Sequence, residues 1–340
     1  MTTPQPETGF PLPSLEELQA AARVVSLPMR VTFRGVLRRE LMLFEGPAGW
    51  AEFSPFLEYD DAEAASWLGA AIEAGWHGFP APLRTSVPVN ATVPAVGPED
   101  VPAVLARYDR PRTVKVKVAE AGQTADEDVL RVAAVRDVLP DAALRVDANG
   151  GWDPDTAVGV LARLAPFGLQ YAEQPAPDIA GLRRVRQELR RRGLAVPVAA
   201  DESVRKESDP LLVARQDAAD LIVVKVQPLG GVRRALKIVA EAGLPAVVSS
   251  ALDSSVGISA GVALAAALPD LPYACGLGTV ALMDGDVVRD RLVPVDGSLP
   301  VRAAAADPEL LGRYRAAPDR EAWWAGRLSR TYRCLATPQR

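Results

Sequence analysis

Apolar residues in the middle of this chain fall into short runs, each carrying an ionisable residue at or near its end. Val114-Lys115-Val116-Lys117-Val118 alternates with a period of two, which predicts a β-strand with both lysines on one face. Four further runs follow: Arg145-Val146-Asp147-Ala148-Asn149, Gln170-Tyr171-Ala172-Glu173-Gln174-Pro175, Val198-Ala199-Ala200-Asp201-Glu202-Ser203 and Leu221-Ile222-Val223-Val224-Lys225-Val226. From Lys117 through Asp147, Glu173 and Asp201 to Lys225 the steps are 30, 26, 28 and 24 residues. One strand plus its returning helix takes roughly 30 residues, so the charges recur once per βα unit, close to the strand's C-terminal end. In a closed barrel those ends surround one mouth, where active sites are built. Alone, Val114–Val118 reads equally well as an edge strand with solvated lysines. The recurrence downstream favours a shared site.

The rest of the pattern frames these units. Ser14 to Ala22 predicts a short capped helix, Val24–Phe33 and Val36–Phe44 a hairpin around Arg34-Gly35, and Trp50–Phe53 a further strand. Ala62–Ala74 has helical spacing and is expected to stop at Gly75. From Val87 strands and helices alternate. Val87–Val93 is a first strand, then come a helix over 98–108, the lysine strand, and a helix over 126–139. The Asp147 strand precedes a helix at Pro154–Leu164, and the Glu173 strand a basic helix at Leu182–Arg192. After the Asp201 and Lys225 strands come a helix at Val232–Ala242, a strand at Ala246–Ser250, a helix at Gly257–Leu268 and a closing strand at Tyr273–Leu277. Such alternation means parallel βαβ units, and eight strands favour a barrel over a doubly wound sheet. Asp284-Gly285-Asp286 reads as a hairpin turn, and Pro308–Leu335 as an Arg-rich helical tail with solvated faces that packs back on the N-terminal part. The expected division is a disordered tail over 1–13, an α+β capping domain over 14–86 completed by 285–340, and a barrel over 87–284.

Composition removes several classes of function. The chain has 340 residues, 49% hydrophobic and 24% charged, with a formal net charge of −5, ample for a core and unsuited to binding nucleic acid. No apolar run reaches the ~18 residues that span a bilayer, and Met1–Pro13 lacks the form of a signal peptide. Two cysteines, Cys275 and Cys334, fit a reducing compartment, which leaves the cytoplasm as the default location. The single histidine, His77, sits in the turn-like Gly75-Trp76-His77-Gly78 and reads as structural. It rules out a two-histidine zinc site and leaves a Ser-His-Asp triad without support.

Asp147, Glu173 and Asp201 on neighbouring strands would concentrate negative charge that requires a cation. All-oxygen ligands select a hard ion, Mg²⁺ or Mn²⁺. The other reading makes each carboxylate a separate helix N-cap. Glu202, one residue beyond Asp201, is expected to point the other way and support the ligands from behind. Lys115 and Lys117 lie roughly 6.5–7 Å apart on one face, where mutual repulsion and partial burial are expected to lower a lysine pKa. Lys117, nearer the rim, is the better base, and Lys225 stands on the opposite wall. A lysine base beside a divalent cation suits removal of a proton from carbon next to a carboxylate. The Ser249-Ser250-Ala251-Leu252-Asp253-Ser254-Ser255 segment opens a helix and could hold a carboxylate, and Gly276 in Cys275-Gly276-Leu277-Gly278 allows close backbone approach. Both also read as ordinary caps and turns. Leu229-Gly230-Gly231 reads as a turn.

Lys115-Val116-Lys117, Asp147-Ala148-Asn149, Glu173-Gln174-Pro175, Asp201-Glu202-Ser203 and Lys225, in this order, resemble the enolase superfamily, and within it the muconate-lactonizing-enzyme-like subgroup. The resemblance implies an α/β fold, a modified TIM barrel of (β/α)₇β form with a discontinuous α+β capping domain. It implies that Asp147, Glu173 and Asp201 hold Mg²⁺, that Lys117 moves the proton and that Lys225 stabilises an enediolate. Lys115, Arg145, Asn149 and Glu202 would support them, and Ser249, Ser250 and Gly276 would bind a small-molecule carboxylate substrate. Arg145, two residues before Asp147, together with the serine-rich segment and the Cys275–Gly278 ending, is similar to a dehydrating branch of the subgroup. An N-acylamino acid racemase or dipeptide epimerase would use the same five groups, with Lys117 and Lys225 as opposed bases. A cycloisomerase and a non-catalytic binding barrel are further alternatives. The first hairpin looks short for the subgroup, which implies a weakly lidded site.

Overall fold

The structure, a computed structural model, describes residues 10–33, 36–204 and 208–337. The chain opens with α1 (Leu15–Ala21), whose N-cap Ser14 forms a reciprocal capping box with Glu17. Next come β1 (Ala22–Phe33), β2 (Val36–Gly46) and β3 (Gly49–Phe53), an antiparallel sheet in the order β1-β2-β3. The expected turn at Arg34-Gly35 lies outside the described residues. So does most of the expected tail, but Phe10 to Pro13 are held in place. Phe10 stacks on His77 at 4.5 Å, His77 Nε2 lies 3.1 Å from the Pro11 carbonyl, and Tyr332 donates to the Pro13 carbonyl.

Helix α2 (Asp61–Ile72) does not end at Gly75. It continues as a π-turn over Glu73–His77, and Gly78 at φ 66° ends it. Gly75 serves close approach instead. Its carbonyl accepts from Ala48 N at 2.8 Å, and a Cβ on Gly46 would come within 2.1 Å of the same oxygen.

The expected first barrel strand is split in two. β4 (Ser86–Pro88) pairs antiparallel with β12 (Ser298–Pro300) away from the barrel, and β5 (Ala91–Val93) enters it. The following units are α3 (Val101–Leu105), β6 (Thr113–Lys117), α4 (Ala125–Val138), β7 (Ala143–Asp147), α5 (Pro154–Leu164), β8 (Leu169–Glu173) and α6 (Ile179–Arg191). Then come β9 (Val198–Ala200), α7 (Ser208–Arg215), β10 (Leu221–Val224), α8 (Val232–Ala242), β11 (Ala246–Val248) and α9 (Ser255–Ala267). Helix α6 starts three residues earlier than its apolar spacing suggests, because Asp178 caps it through Gly181 N. The sheet runs β11-β10-β9-β8-β7-β6-β5. In place of a full closing strand, Cys275 bridges Val89 and Gly276 bridges Ser249, both parallel, and these two residues close the ring.

Alternation sorts side chains between two interiors. Val114, Val116, Leu144, Val146, Val198, Ile222 and Val224 face the helices, while Tyr171, Ala199, Leu221, Val223 and Val247 form a separate cluster with Tyr273 against it. Register does the rest. Lys117 pairs with Asp147, Asp147 with Glu173, and Glu173 with Ala199, so the charged residues arrive at one level.

After the ring, Asp284-Gly285-Asp286 runs as an irregular segment. The hairpin turn lies at Asp296-Gly297 instead, where Asp296 (φ 48°) and Gly297 (φ 66°) join Val295 to Ser298. The tail is two helices, α10 (Pro308–Arg313) and α11 (Pro318–Ala336), since Pro318 cannot sit within a helix and starts the second. Helix α11 packs on α2 and the first sheet. Arg320 forms an ion pair with Glu40 at 2.7 Å, Arg330 with Asp61 at 2.7 Å, and the Trp324 ring meets Phe53 edge-on at 5.9 Å. Arg186 and Arg327 are buried, so these Arg-rich helices are not merely solvated faces. Among the described residues no helix is long and apolar enough to cross a membrane.

Candidate active site

Two lysines leave β6 side by side on the inner face. Lys115 Nζ lies 2.8 Å from Asp147 Oδ2 and 2.7 Å from Glu173 Oε1, while Lys117 Nζ lies 2.6 Å from Asp147 Oδ2. These contacts reverse the expectation of a lowered lysine pKa for Lys115. Burial works to lower it, but the Asp147 and Glu173 carboxylates override burial and hold it well above the usual lysine range. For Asp147, burial works upward, yet Lys115 and Lys117 hold it well below the usual carboxylate range. Glu173 moves upward, through burial first and the Asp147 carboxylate second.

The turns after the strands place the remaining groups. Asn149 (φ 45°) follows Asp147, donates its backbone N–H to Asp147 Oδ1 at 3.1 Å and accepts from Lys117 at Oδ1, 2.6 Å away. Gln174 (φ 40°) turns the chain after Glu173, and its Oε1 accepts from Asp201 N at 2.9 Å and Ser203 N at 3.2 Å. It thereby shapes the turn that presents Asp201. Lys225, just past β10, donates to Asp201 Oδ1. Glu202 does not point away, because β9 ends at Ala200 and residues 201–203 form a turn. Its Oε1 accepts from Asn149 Nδ2 at 2.9 Å and its side chain lines the same cleft.

The non-atom space in that cleft, counting the part open to solvent, is about 530 Å³. It gathers Lys115, Lys117, Asp147, Asn149, Asp201, Glu202, Lys225, Ser249, Ser250 and Gly276. Glu173 lies just beneath, reached through Lys115. Ser250 Oγ donates to the Gly276 carbonyl at 2.9 Å and lies 2.8 Å from Thr279 Oγ1, which ties the loop after β11 to the closing segment. Arg145 is one layer deeper, fully buried. It donates to Gln170 Oε1 at 2.8 Å, to Asn90 Oδ1 at 3.3 Å and to the Ala274 carbonyl at 2.7 Å, with its guanidinium 4.7 Å from the Tyr171 ring centre. It supports the floor of the site and does not line the cleft.

Sequence reasoning missed Phe56 and Thr92, which also line the cleft, as do Leu252 of the serine-rich segment and Thr279 just after the Cys275–Gly278 ending. Thr92 was within reach, since Asn90 and Thr92 are polar at a period of two in an otherwise apolar strand. Phe56 arrives from the capping sheet, and its Ser54-Pro55-Phe56 context carries no signal of the barrel beneath it. A second pocket, about 520 Å³ counting space open to solvent, shares Phe56, Asp201, Glu202, Lys225 and Ala251 and continues under α2 to Tyr59, Glu63, Ser66 and Trp67.

Whether the residues suit a hard cation is decided by the donor set. Among the described residues no ready-made metal cage exists, since the Lys115 ammonium stands between Asp147 and Glu173. The chemistry nevertheless fits. Three strand-end carboxylates and Glu202 outnumber the three facing ammonium groups, so the site is left anionic, and every donor is a hard oxygen.

Fold and site together define a modified TIM-barrel enzyme: residues 101–305 match the enolase C-terminal domain-like family and residues 24–75 the enolase N-terminal domain-like family. The chain belongs to the enolase superfamily. It is similar to the o-succinylbenzoate synthase of Mycolicibacterium smegmatis, 53% identical over 93% of this chain and 97% of that relative. It is also similar to that of Thermobifida fusca, 52% identical over 90% of this chain and 94% of the relative. Among solved structures, 2-chloromuconate cycloisomerase from Rhodococcus opacus superposes with a TM-score of 0.72 at 24% identity, covering 87% of this chain and 98% of that one, a likeness of fold.

Proposed function

We propose that this protein is an o-succinylbenzoate synthase, a hydro-lyase that dehydrates 2-succinyl-6-hydroxy-2,4-cyclohexadiene-1-carboxylate to 2-succinylbenzoate in menaquinone biosynthesis. What carries the reading is the identity above 50% over more than nine-tenths of the chain to relatives of that name. The cleft supports it with a lysine on each wall. Mg²⁺, or Mn²⁺ in its place, held by Asp147, Glu173 and Asp201, would supply positive charge to the substrate carboxylate and so acidify the neighbouring C–H.

Lys117, as the free amine, takes the proton from the carbon bearing the carboxylate. Lys225 on the opposite wall stabilises the enediolate charge that this creates. The Lys117 ammonium then returns its proton to the departing hydroxyl on the same face, water leaves, and the ring becomes aromatic. Asn149 orients Lys117, Glu202 orients Asn149, and Arg145 holds the floor. Ser249, Ser250 and the Gly276 backbone receive polar groups of the substrate. Residues 14–86 with 285–340 form the capping unit over the barrel of 87–284, and the enzyme works in the cytoplasm.

Opposed lysines would also serve a racemase or epimerase of N-acylamino acids or dipeptides. The test is to give the protein and Mg²⁺ the cyclohexadiene carboxylate and follow its diene absorbance, with an EDTA-treated control. Fast metal-dependent loss supports the dehydratase. No loss, alongside turnover of an N-acylamino acid, would replace it with the racemase.

A further inference from the structure

Arg39 lies on β2, in the capping sheet, and is only 3% exposed. Its guanidinium is directed at backbone carbonyls. It donates to Ser54 O, to Ala251 O at 3.3 Å and to Leu252 O at 3.2 Å, and lies 4.4 Å from the centre of the Phe56 ring. Burial is the main influence on it and pulls its pKa below the usual arginine range, against the Glu52 and Asp253 carboxylates. A charge in such a place costs free energy that an apolar side chain would not. What an arginine adds is a rigid planar fork of donors that can hold two chain segments at a set angle.

Those two segments are the loops on either side of the cleft. Residues 54–59 bring Phe56 and Tyr59 down from the cap, and residues 249–253 bring Ser249 to Leu252 up from the barrel. They are joined through Arg39, while the outer side of the cap loop is held by Arg327 of α11, which donates to Phe56 O at 3.0 Å and Tyr59 O at 2.8 Å.

We propose that Arg39 is a positioning residue that locks the cap loop 54–59 to the barrel loop 249–253, and so sets the width of the cavity that receives the part of the substrate remote from the reacting carbon. This rests on the reading of the cleft as the reaction site. Arg39 touches none of Lys117, Lys225 or the three strand-end carboxylates, so its effect falls on binding rather than on proton transfer.

The test uses Arg39→Lys in the full chain, which keeps the charge and removes the fork. KM for the cyclohexadiene carboxylate should rise about tenfold while kcat stays within about threefold, the mark of lost uniform binding. In the enzyme without substrate, amide hydrogen exchange should speed up about tenfold in 54–59 and 249–253 together and stay unchanged over Val114–Lys117. Unchanged exchange, loosening of one loop alone, or loss of kcat at constant KM would each overturn the proposal. Arg327→Lys keeps the test decisive should Arg39→Lys fail to fold. It frees the cap loop from α11 while Arg39 stays in place, so exchange should speed up in 249–253 along with 54–59, and loosening of 54–59 alone would show that Arg39 does not join them. A wild-type enzyme inactive on this substrate would overturn the functional reading and leave the exchange result standing.

Discussion

Lys117 donates to Asn149 Oδ1 across 2.6 Å, and the other end of that amide is fixed by its donation to Glu202 Oε1 at 2.9 Å. The proposed base is therefore held in a set direction, since one acceptor is the Asp147 carboxylate and the other an amide that cannot rotate freely. Lys117→Ala should lower kcat by roughly 10²–10⁴, the usual contribution of a general base, with far-UV circular dichroism and product affinity unchanged. Retained turnover would reassign the base. Asn149→Ala should cost less, about tenfold in kcat, because the amine survives and only its aim is lost.

Lys115 is the internal counter-ion of two carboxylates that are themselves buried, Asp147 and Glu173. Removing one partner of such a group leaves uncompensated charge and costs roughly 3–5 kcal/mol. Lys115→Met should lose about that much stability in urea unfolding with EDTA present, and saturating Mg²⁺ should restore a large part of it. An equal deficit with and without Mg²⁺ would argue that the cation does not bind at these carboxylates.

Glu73, from the turn after α2, caps a barrel helix from the neighbouring layer. It accepts from Val232 N at 2.5 Å and Arg233 N at 3.2 Å, and forms an ion pair with Arg233 at 2.8 Å. Gly231 makes room for it at φ 128°, where an added Cβ would meet Glu73 Oε2 at 2.1 Å. Gly231→Ala should therefore destabilise by about 2–4 kcal/mol, from backbone strain plus the displaced cap. In a double-mutant cycle with Glu73→Ala the two losses should not add. Full additivity would mean that the glycine is needed for its backbone alone.

Glu52 links the same two layers at the start of α9, accepting from Ser54 Oγ at 2.7 Å and from Ser254 N and Gly257 N at 3.1 Å each. Burial and then the Asp253 carboxylate push its pKa up to about 8, against the hydrogen bonds from Ser254 and Ser54. An unfolded glutamate titrates near ~4.3. Between those values the folded protein keeps a proton that the unfolded chain has lost, so this contribution is complete below the unfolded value and disappears as pH rises through about 8. Glu52→Gln can keep the amide-side contacts and turn its NH₂ toward Ser54. Its unfolding free energy should fall less between pH 6 and pH 9 than that of the wild type. Parallel curves would show Glu52 ionised across that range.

Much of the barrel was legible because its two periods are simple. Alternate residues face in, and one charged residue returns with each βα unit, so the positions of Lys117, Asp147, Glu173, Asp201 and Lys225 at the strand ends follow from the sequence alone. Environment was less legible. Lys115 was read against its neighbouring lysine, whereas the structure sets it between carboxylates from two other strands. Glu202 was read as a strand residue, whereas the chain turns one residue earlier. Arg39, Phe56 and Glu73 carry no local pattern that connects them to the barrel, because their partners are about 160 to more than 200 residues away in the chain. The ring does close within the expected Tyr273–Leu277 strand, but only through Cys275 and Gly276, and nothing in that apolar run marks how few of its residues pair.

Arg327 belongs to α11, near the end of the chain, yet it holds the loop that carries Phe56 into the cleft. A ribosome releases the barrel long before it releases this arginine. The proposed catalytic groups are thus made while one wall of the cleft still waits for an anchor. A nascent chain stalled before Pro318 should be cut readily by protease within 54–59, and the finished chain should resist. The wall that Phe56 forms is anchored only once α11 has been made.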